Sequence, residues 1–157
     1  MVNQYTTNMR EWLSLKHVLR EGWVRAGVES PESVAAHSWG MSVLAMHLCP
    51  ENLDRMRVLE MCLVHDLPEI DVGDLTPHDD TSTKSEDEHL AMNRLAPQWI
   101  DLFEEYEAGL TEEAKFVKYL DKLDMALMAR IYEDSQNLDL SEFIASAKEF
   151  IGETNLK

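Results

Sequence analysis

Apolar residues recur at three- and four-residue intervals along almost the whole chain, and no stretch reads as the two-residue alternation of a half-buried strand. That pattern leaves room for little besides packed helices. Met9, Trp12, Leu13, Leu15, Val18 and Leu19 predict a first helix over about 8–19, and Val34, His37, Met41, Leu44 and Leu48 a second, opened near Ser33 and stopped by Pro50. The run from Asp54 to His65 carries Met56, Leu59 and Leu63 with Val58, Cys62 and Val64 beside them, so it is apolar on most sides and predicts the central helix. Lys84 to Leu95 follows, with Glu86, Asp87 and Glu88 on its outer face. Pro97 then starts a turn that carries Trp99, Leu102, Phe103 and Tyr106 to a stop at Gly109. Thr111 caps a long helix with Phe116, Val117, Leu120, Leu123, Leu127 and Ile131 facing inward, and Ser141 caps a last one bearing Phe143, Ile144, Ala147 and Ile151. With no repeat, low-complexity segment or linker between them, these runs predict residues 1–157 to be a single all-α domain, a bundle of about six helices.

Charge narrows the partners. Thirty acidic side chains against fourteen lysines and arginines give a formal charge of -16, which repels long polyanions over most of the surface and excludes a nucleic-acid polymer as the expected partner. A small phosphate ester is admissible only where a metal and a few cations reverse the field locally. Cys49 and Cys62 stand in apolar surroundings and read as buried, reduced thiols. No secretory leader opens the chain and no apolar run approaches 18 residues, so the expected place is the cytoplasm, away from the membrane.

One stretch stores polar chemistry where a buried helix ends: Leu63-Val64-His65-Asp66-Leu67-Pro68-Glu69-Ile70-Asp71-Val72-Gly73-Asp74. Successive helical residues point about 100° apart, so His65 and Asp66 can grip one ion together only if other ligands arrive from elsewhere. Glu69 lies one turn on, and Pro68 and Gly73 break the helix so that Asp74 returns towards the same place. Helical periodicity also turns His37 and Asp121 inward. His37, His65, Asp66 and Asp121 together form a mixed nitrogen and oxygen shell suited to one divalent cation, cobalt, manganese, zinc, nickel or iron, with magnesium admissible. Four protein ligands leave positions open for water and a substrate oxygen, as in a catalytic site.

The order His, His-Asp, Asp resembles the HD-domain metal-dependent phosphohydrolases. Pro31-Glu32-Ser33-Val34-Ala35-Ala36-His37-Ser38, His65-Asp66-Leu67-Pro68-Glu69 with Val72-Gly73-Asp74, and Phe116-Val117-Lys118-Tyr119-Leu120-Asp121 are similar to three ordered motifs of the subgroup that contains the 5'-deoxynucleotidases. Ala36 replaces the usual acid, Pro68 a smaller residue, and the chain ends earlier; none of these removes a ligand. The resemblance implies that His37, His65, Asp66 and Asp121 bind the metal. It further implies that Glu69 and Asp74 orient or deprotonate the attacking water and hold the sugar side of the substrate, that Arg20 meets the phosphate with Arg25 as substitute, and that Trp23 walls the nucleoside. Lys84 and Lys118 are further candidates for phosphate.

The expected function is release of phosphate from deoxynucleoside 5'-monophosphates. The rivals are a deoxynucleoside triphosphate phosphohydrolase, for example on dATP, and a non-catalytic nucleotide-binding protein. His17, His47, His78 and His89 read as solvated or sideways, and the additional histidines of two-metal relatives are absent. Asp124, on a different face from Asp121, is close enough to support the ligands from behind but reads first as a surface acid. Trp99, Phe103, Tyr106, Phe143 and Phe150 suggest more aromatic surface than one bundle buries, hence a homodimer or higher homo-oligomer.

Overall fold

The computed structural model describes residues 9–152. In chain order the helices are α1 (Glu21–Arg25), α2 (Val34–Leu48), α3 (Arg55–Val64), α4 (Glu69–Val72), α5 (Lys84–Leu95), α6 (Ile100–Ala108), α7 (Glu112–Gln136) and α8 (Ser141–Ile151). Six of these are nine residues or longer, which agrees with the expected all-α bundle. No strand occurs among the described residues; an isolated antiparallel bridge joins Leu19 to Ser33.

Caps written into the sequence start the helices where expected. Ser33 accepts a hydrogen bond from the Ala36 amide, Asp54 from that of Arg57 and Thr111 from that of Ala114, each filling an orphan donor of the first turn. Ser141 does not cap α8 but is its first residue, and Asp139 accepts the Ser141 amide instead, at 3.0 Å. The first helix also ends early. Residues 9–13 are helical, tighten into a 3-10 turn at Ser14–His17, and then the chain extends; Asn8 lies outside the described residues. The extension has a cause: the Val18 carbonyl accepts the Val34 amide at 2.7 Å, and the Arg20 amide donates to the Glu32 carbonyl at 3.0 Å. This bridge pins Arg20 beside the start of α2.

The central helix is α7, not α3. It packs against α2, α3, α6 and α8, and buries Ala114, Val117, Leu120 and Leu123 along its inner side. On α3, Val58, Met61, Cys62 and Val64 are buried, whereas Met56 and Leu63 are exposed, because its neighbours α2, α6 and α7 cover one side only. Ile131 is likewise exposed, and Glu88, expected outside, is buried beside Lys84 at 3.5 Å. Met41, Met61 and Met92 are fully buried; truncating such a side chain to alanine costs about 2–5 kcal/mol. A second, smaller cluster gathers Trp23, Val28, Ala129, Tyr132, Leu140 and Ile144, holding α1 and α8 to the far end of α7. The Trp23 ring lies 4.6 Å from Phe143 and 5.4 Å from Tyr132, centroid to centroid.

Candidate metal and phosphate site

Three segments converge where α2, α7 and the end of α3 meet. His37 enters from the first turn of α2 and Asp121 from the middle of α7. His65 is the residue at which α3 stops, and Asp66 follows in the turn leading to α4. His37 Nε2 stands 3.1 Å from Asp121 Oδ1 and 3.8 Å from Asp66 Oδ2, while His65 Nε2 is 3.1 Å from Asp66 Oδ2. The structure therefore brings His37, His65 and Asp121 within mutual reach and sets Asp66 beside both imidazoles.

The donor chemistry of the cluster fits a divalent cation. His37 Nε2 and His65 Nε2 are buried and neither has a partner of hydrogen-bond geometry, although carboxylate oxygens stand close by. Each ring is fixed at its other nitrogen: His65 Nδ1 donates to the Cys62 carbonyl at 2.9 Å, and His37 Nδ1 lies 2.7 Å from Asp124 Oδ2. Those bonds leave the Nε2 lone pairs aimed at a shared point, as metal-ligating histidines are held. His37, His65 and Asp121 can each offer an atom within 4.8 Å of the others.

Around this cluster the outer residues divide. Gly73, at φ +81, turns the chain after α4 so that Asp74 Oδ1 comes within 3.9 Å of Arg20 Nη1, and Asp74 Oδ2 accepts the Glu21 amide at 2.6 Å. Arg20 Nη1 is also 4.0 Å from Asp66 Oδ2, which places a cation directly at the cluster. Glu69 is buried at the start of α4, and its Oε2 has no hydrogen-bond partner. Arg25 is turned to Asp79 at 2.6 Å and Glu21 at 3.6 Å. Lys84 pairs with Glu88 at 3.5 Å, and, against burial, the charges of Glu88, Glu69 and Asp66 hold its ammonium above its ordinary value. Lys118 lies 4.2 Å above the Tyr106 ring, whose other neighbour is the His65 ring at 4.9 Å. Trp23 is 2% exposed, donates its Nε1 proton to Glu32 at 3.0 Å, and lines a pocket of about 480 Å³. That pocket opens beside Arg20 and Asp74, with Lys122 and Met125 of α7 and Phe143 of α8 across from them.

Proton affinities follow from burial and neighbours. Burial opposes ionisation of Asp66, yet His65, His37 and Arg20 hold its carboxyl down at about 2. Asp121 is also held below the usual carboxylate range against the effect of burial, chiefly by His37. Burial, reinforced by the charges of Asp66 and Asp74, pushes Glu69 up to about 10. For His37, burial and Arg20 disfavour the charged ring, but Asp121 and Asp124 outweigh them and raise it to about 9. Arg20 is held above its ordinary value, against burial, by Asp121, Asp66, Asp74 and Glu69.

Sequence reasoning ranks Asp124 first as a surface acid and only second as a support of the ligands; it is 6% exposed and faces His37 rather than solvent. A signal was present: Val117, Leu120, Asp121 and Asp124 follow i, i+3, i+4, i+7, one continuous stripe of α7. The Cys62 carbonyl and Tyr106, which hold and wall the His65 ring, carried no such signal.

Fold and cluster together define a class, an all-helical domain with a His/Asp cluster able to hold a divalent metal ion. Within that class the chain belongs to the HD-domain family, whose family model matches residues 13–157. It is 41% identical over 133 residues to the mouse (Mus musculus) protein named 5'-deoxynucleotidase HDDC2, covering 78% of this chain and 67% of the relative. It is 37% identical over 150 residues to the 5'-deoxynucleotidase hdd1 of Schizosaccharomyces pombe, covering 85% and 76% of the two chains. The chain thus spans about two thirds to three quarters of the length of these curated relatives. Among solved structures, the PH0347 protein from Pyrococcus horikoshii superposes with a TM-score of 0.87 at 33% identity, over 96% of this chain and 91% of that one.

Proposed function

We propose that this protein is a metal-dependent 5'-deoxynucleotidase, releasing phosphate from deoxynucleoside 5'-monophosphates. The observation that carries the reading is the pair of buried, partnerless imidazole nitrogens of His37 and His65 facing Asp66 and Asp121, with Arg20 as the cation beside them. The names of the curated relatives support the substrate class. His37, His65, Asp66 and Asp121 hold one cation of the cobalt, manganese, zinc, nickel or iron kind. When bound, such an ion polarises a phosphate ester and makes a coordinated water acidic near neutral pH.

The chain's own groups do the rest. Arg20 turns from its two carboxylates to the phosphate oxygens, offsetting their charge in a protein this acidic. Glu69, whose buried, unpartnered carboxyl keeps its proton near neutral pH, stands as the acid that hands this proton to the leaving sugar oxygen. Asp74 keeps Arg20 and the start of α1 in place, and borders the pocket in which the sugar sits. Trp23 and Phe143, which line that pocket, wall the nucleoside. A buried carboxyl without a hydrogen-bond partner is costly in a protein that only binds, which weighs against the non-catalytic alternative.

Phosphate chain length turns on cations. A triphosphate brings additional negative charge and needs Arg25, Lys84 and Lys118 to converge, whereas Arg25 is tied to Asp79, Lys84 to Glu88, and Lys118 to the Tyr106 ring. The monophosphate therefore fits the site better. Metal analysis of the purified protein, followed by phosphate release from one deoxynucleoside as mono-, di- and triphosphate, tests both halves of the reading. A triphosphate preferred tenfold in kcat/KM, about 1.4 kcal/mol of transition-state binding, overturns the choice of substrate.

The buried, free thiols of Cys49 and Cys62 support a reducing, cytoplasmic setting, and no described helix is long and apolar enough to cross a membrane. Homodimerisation stays part of the proposal on altered grounds. Phe103 and Tyr106 are buried in the core, but Trp39, Val43 and Met46 form an exposed apolar stripe on α2, and a dimeric mass by light scattering is the expected result.

A further inference from the structure

His37 is fully buried, and a ring that presents Nε2 to a cation needs its Nδ1 proton taken by something fixed. Asp124 supplies it. Its carboxylate arrives from α7, one turn beyond Asp121, and lies 2.7 Å from His37 Nδ1 across a helix interface. What lets it arrive is on the other helix. Residue 40, one turn beyond His37 on α2, is glycine, and a Cβ built there overlaps Asp124 Oδ1. The backbone of α2 thus carries a notch the size of one methyl group, filled by a carboxylate oxygen.

Glu32 closes the other side. Its carboxylate lies within 4.8 Å of both His37 and Asp124, but Oε1 accepts the Trp23 indole proton at 3.0 Å, and the Glu32 amide donates to the Tyr132 hydroxyl at 3.0 Å. A second cation between Glu32, His37 and Asp124 would have to displace the direct bond from His37 Nδ1, so these three residues read as a support rather than as another metal site.

We infer that Asp124 is the positioning residue for His37 and that Gly40 is the notch that admits it, so that cation affinity at the cluster depends on a residue that has no side chain and touches neither cation nor substrate. This rests on the reading of His37 as a ligand. The bond selects the tautomer with a free Nε2 lone pair and fixes the ring's rotation; losing such a support weakens metal binding by about 10- to 100-fold. An alanine at position 40 pushes the carboxylate off the ring and has the same consequence from the opposite helix.

The test is zinc affinity of the full chain, measured by competition with a chromophoric chelator, in wild type, Asp124→Ala, Gly40→Ala, the double variant and His37→Ala. Melting in a chelating buffer and the His37 Nδ1 proton resonance of the zinc-loaded protein are recorded alongside. Asp124→Ala and Gly40→Ala are each expected to bind zinc about 10- to 100-fold more weakly and to lose or shift that resonance. The double variant is expected to bind no more weakly than Asp124→Ala alone, because the added methyl then has no carboxylate to displace. Losses that multiply in the double variant overturn the notch. Zinc binding within twofold of wild type in Asp124→Ala, with binding lost in His37→Ala, overturns the support while the ligand assignment stands. Unchanged binding in His37→Ala removes the assignment and the inference together. Should Gly40→Ala fail to fold, Asp124→Asn decides: it keeps an acceptor oxygen and must retain zinc better than Asp124→Ala, and equal loss in the two refutes the inference.

Discussion

The two imidazoles of the cluster sit 5.7 Å apart, centroid to centroid, yet they are held by different kinds of structure. His65 belongs to a local half. Its Nδ1 proton goes to the Cys62 carbonyl three residues earlier, Asp66 is its neighbour in the chain, and Glu69 follows one turn on, so eight consecutive residues build that side. His37 belongs to a long-range half, completed by Asp121 and Asp124 from a helix more than eighty residues away and by the gap at Gly40. A local half persists wherever its own turn forms; the other exists only when α2 and α7 are docked in register. Removing the histidine also leaves different remnants, a backbone carbonyl on one side and a buried carboxylate on the other.

Loss of a residue facing both halves has the largest expected effect. Asp66 stands near both imidazoles, and Asp66→Ala should leave the purified protein without its divalent ion and without phosphate release. Metal content equal to wild type would end the assignment of the cluster. Glu69→Gln probes the local half alone: the ion is retained, while kcat falls by about 10²- to 10⁴-fold, the range for a positioned acid or base. If the substitution instead empties the site of metal, Glu69 is a ligand and the local half is larger than drawn. Stability separates the halves more gently. In chelating buffer, His37→Ala strands Asp124 in the interior and should cost about 3–5 kcal/mol, against about 1–3 kcal/mol for His65→Ala, which strands one carbonyl. Coincident urea midpoints for the two variants would erase the distinction.

The same division explains how much could be read from the chain. The capped starts of α2 and α7 were legible because Ser33 and Thr111 bond within their own first turns. His65, Asp66 and Glu69 were legible because their relation is a matter of helical spacing. Asp124 and Glu88 read as surface acids because an acid is usually solvated. Glu88 is paired with Lys84 one turn back on its own helix and is buried all the same, whereas Asp124 meets its partner His37 only across the docked helices. The early end of the first helix has a similar origin, since Val18 and Arg20 are drawn out by residues 32 and 34. On α3, Met56 and Leu63 share an i, i+4, i+7 stripe with the exposed acid Glu60, which was the signal that this side faces solvent.

The smallest expected effect belongs to Lys118, which meets the local half only through an aromatic ring. Its ammonium lies over Tyr106, and the Tyr106 ring packs against that of His65, so the lysine is two contacts removed from the cluster. Half-buried as it is, the cation contributes about 0.5–1 kcal/mol through the ring. Lys118→Ala should therefore lower the unfolding free energy by that amount and leave kcat/KM for a deoxynucleoside monophosphate within about threefold of wild type, less than 1 kcal/mol of transition-state binding. A tenfold loss of kcat/KM at unchanged stability would mean that Lys118 swings from Tyr106 to the phosphate during turnover. The local half would then bring its own cation to the substrate, and the case for a single phosphate, which depends on Lys118 staying over the ring, would lose one of its three supports.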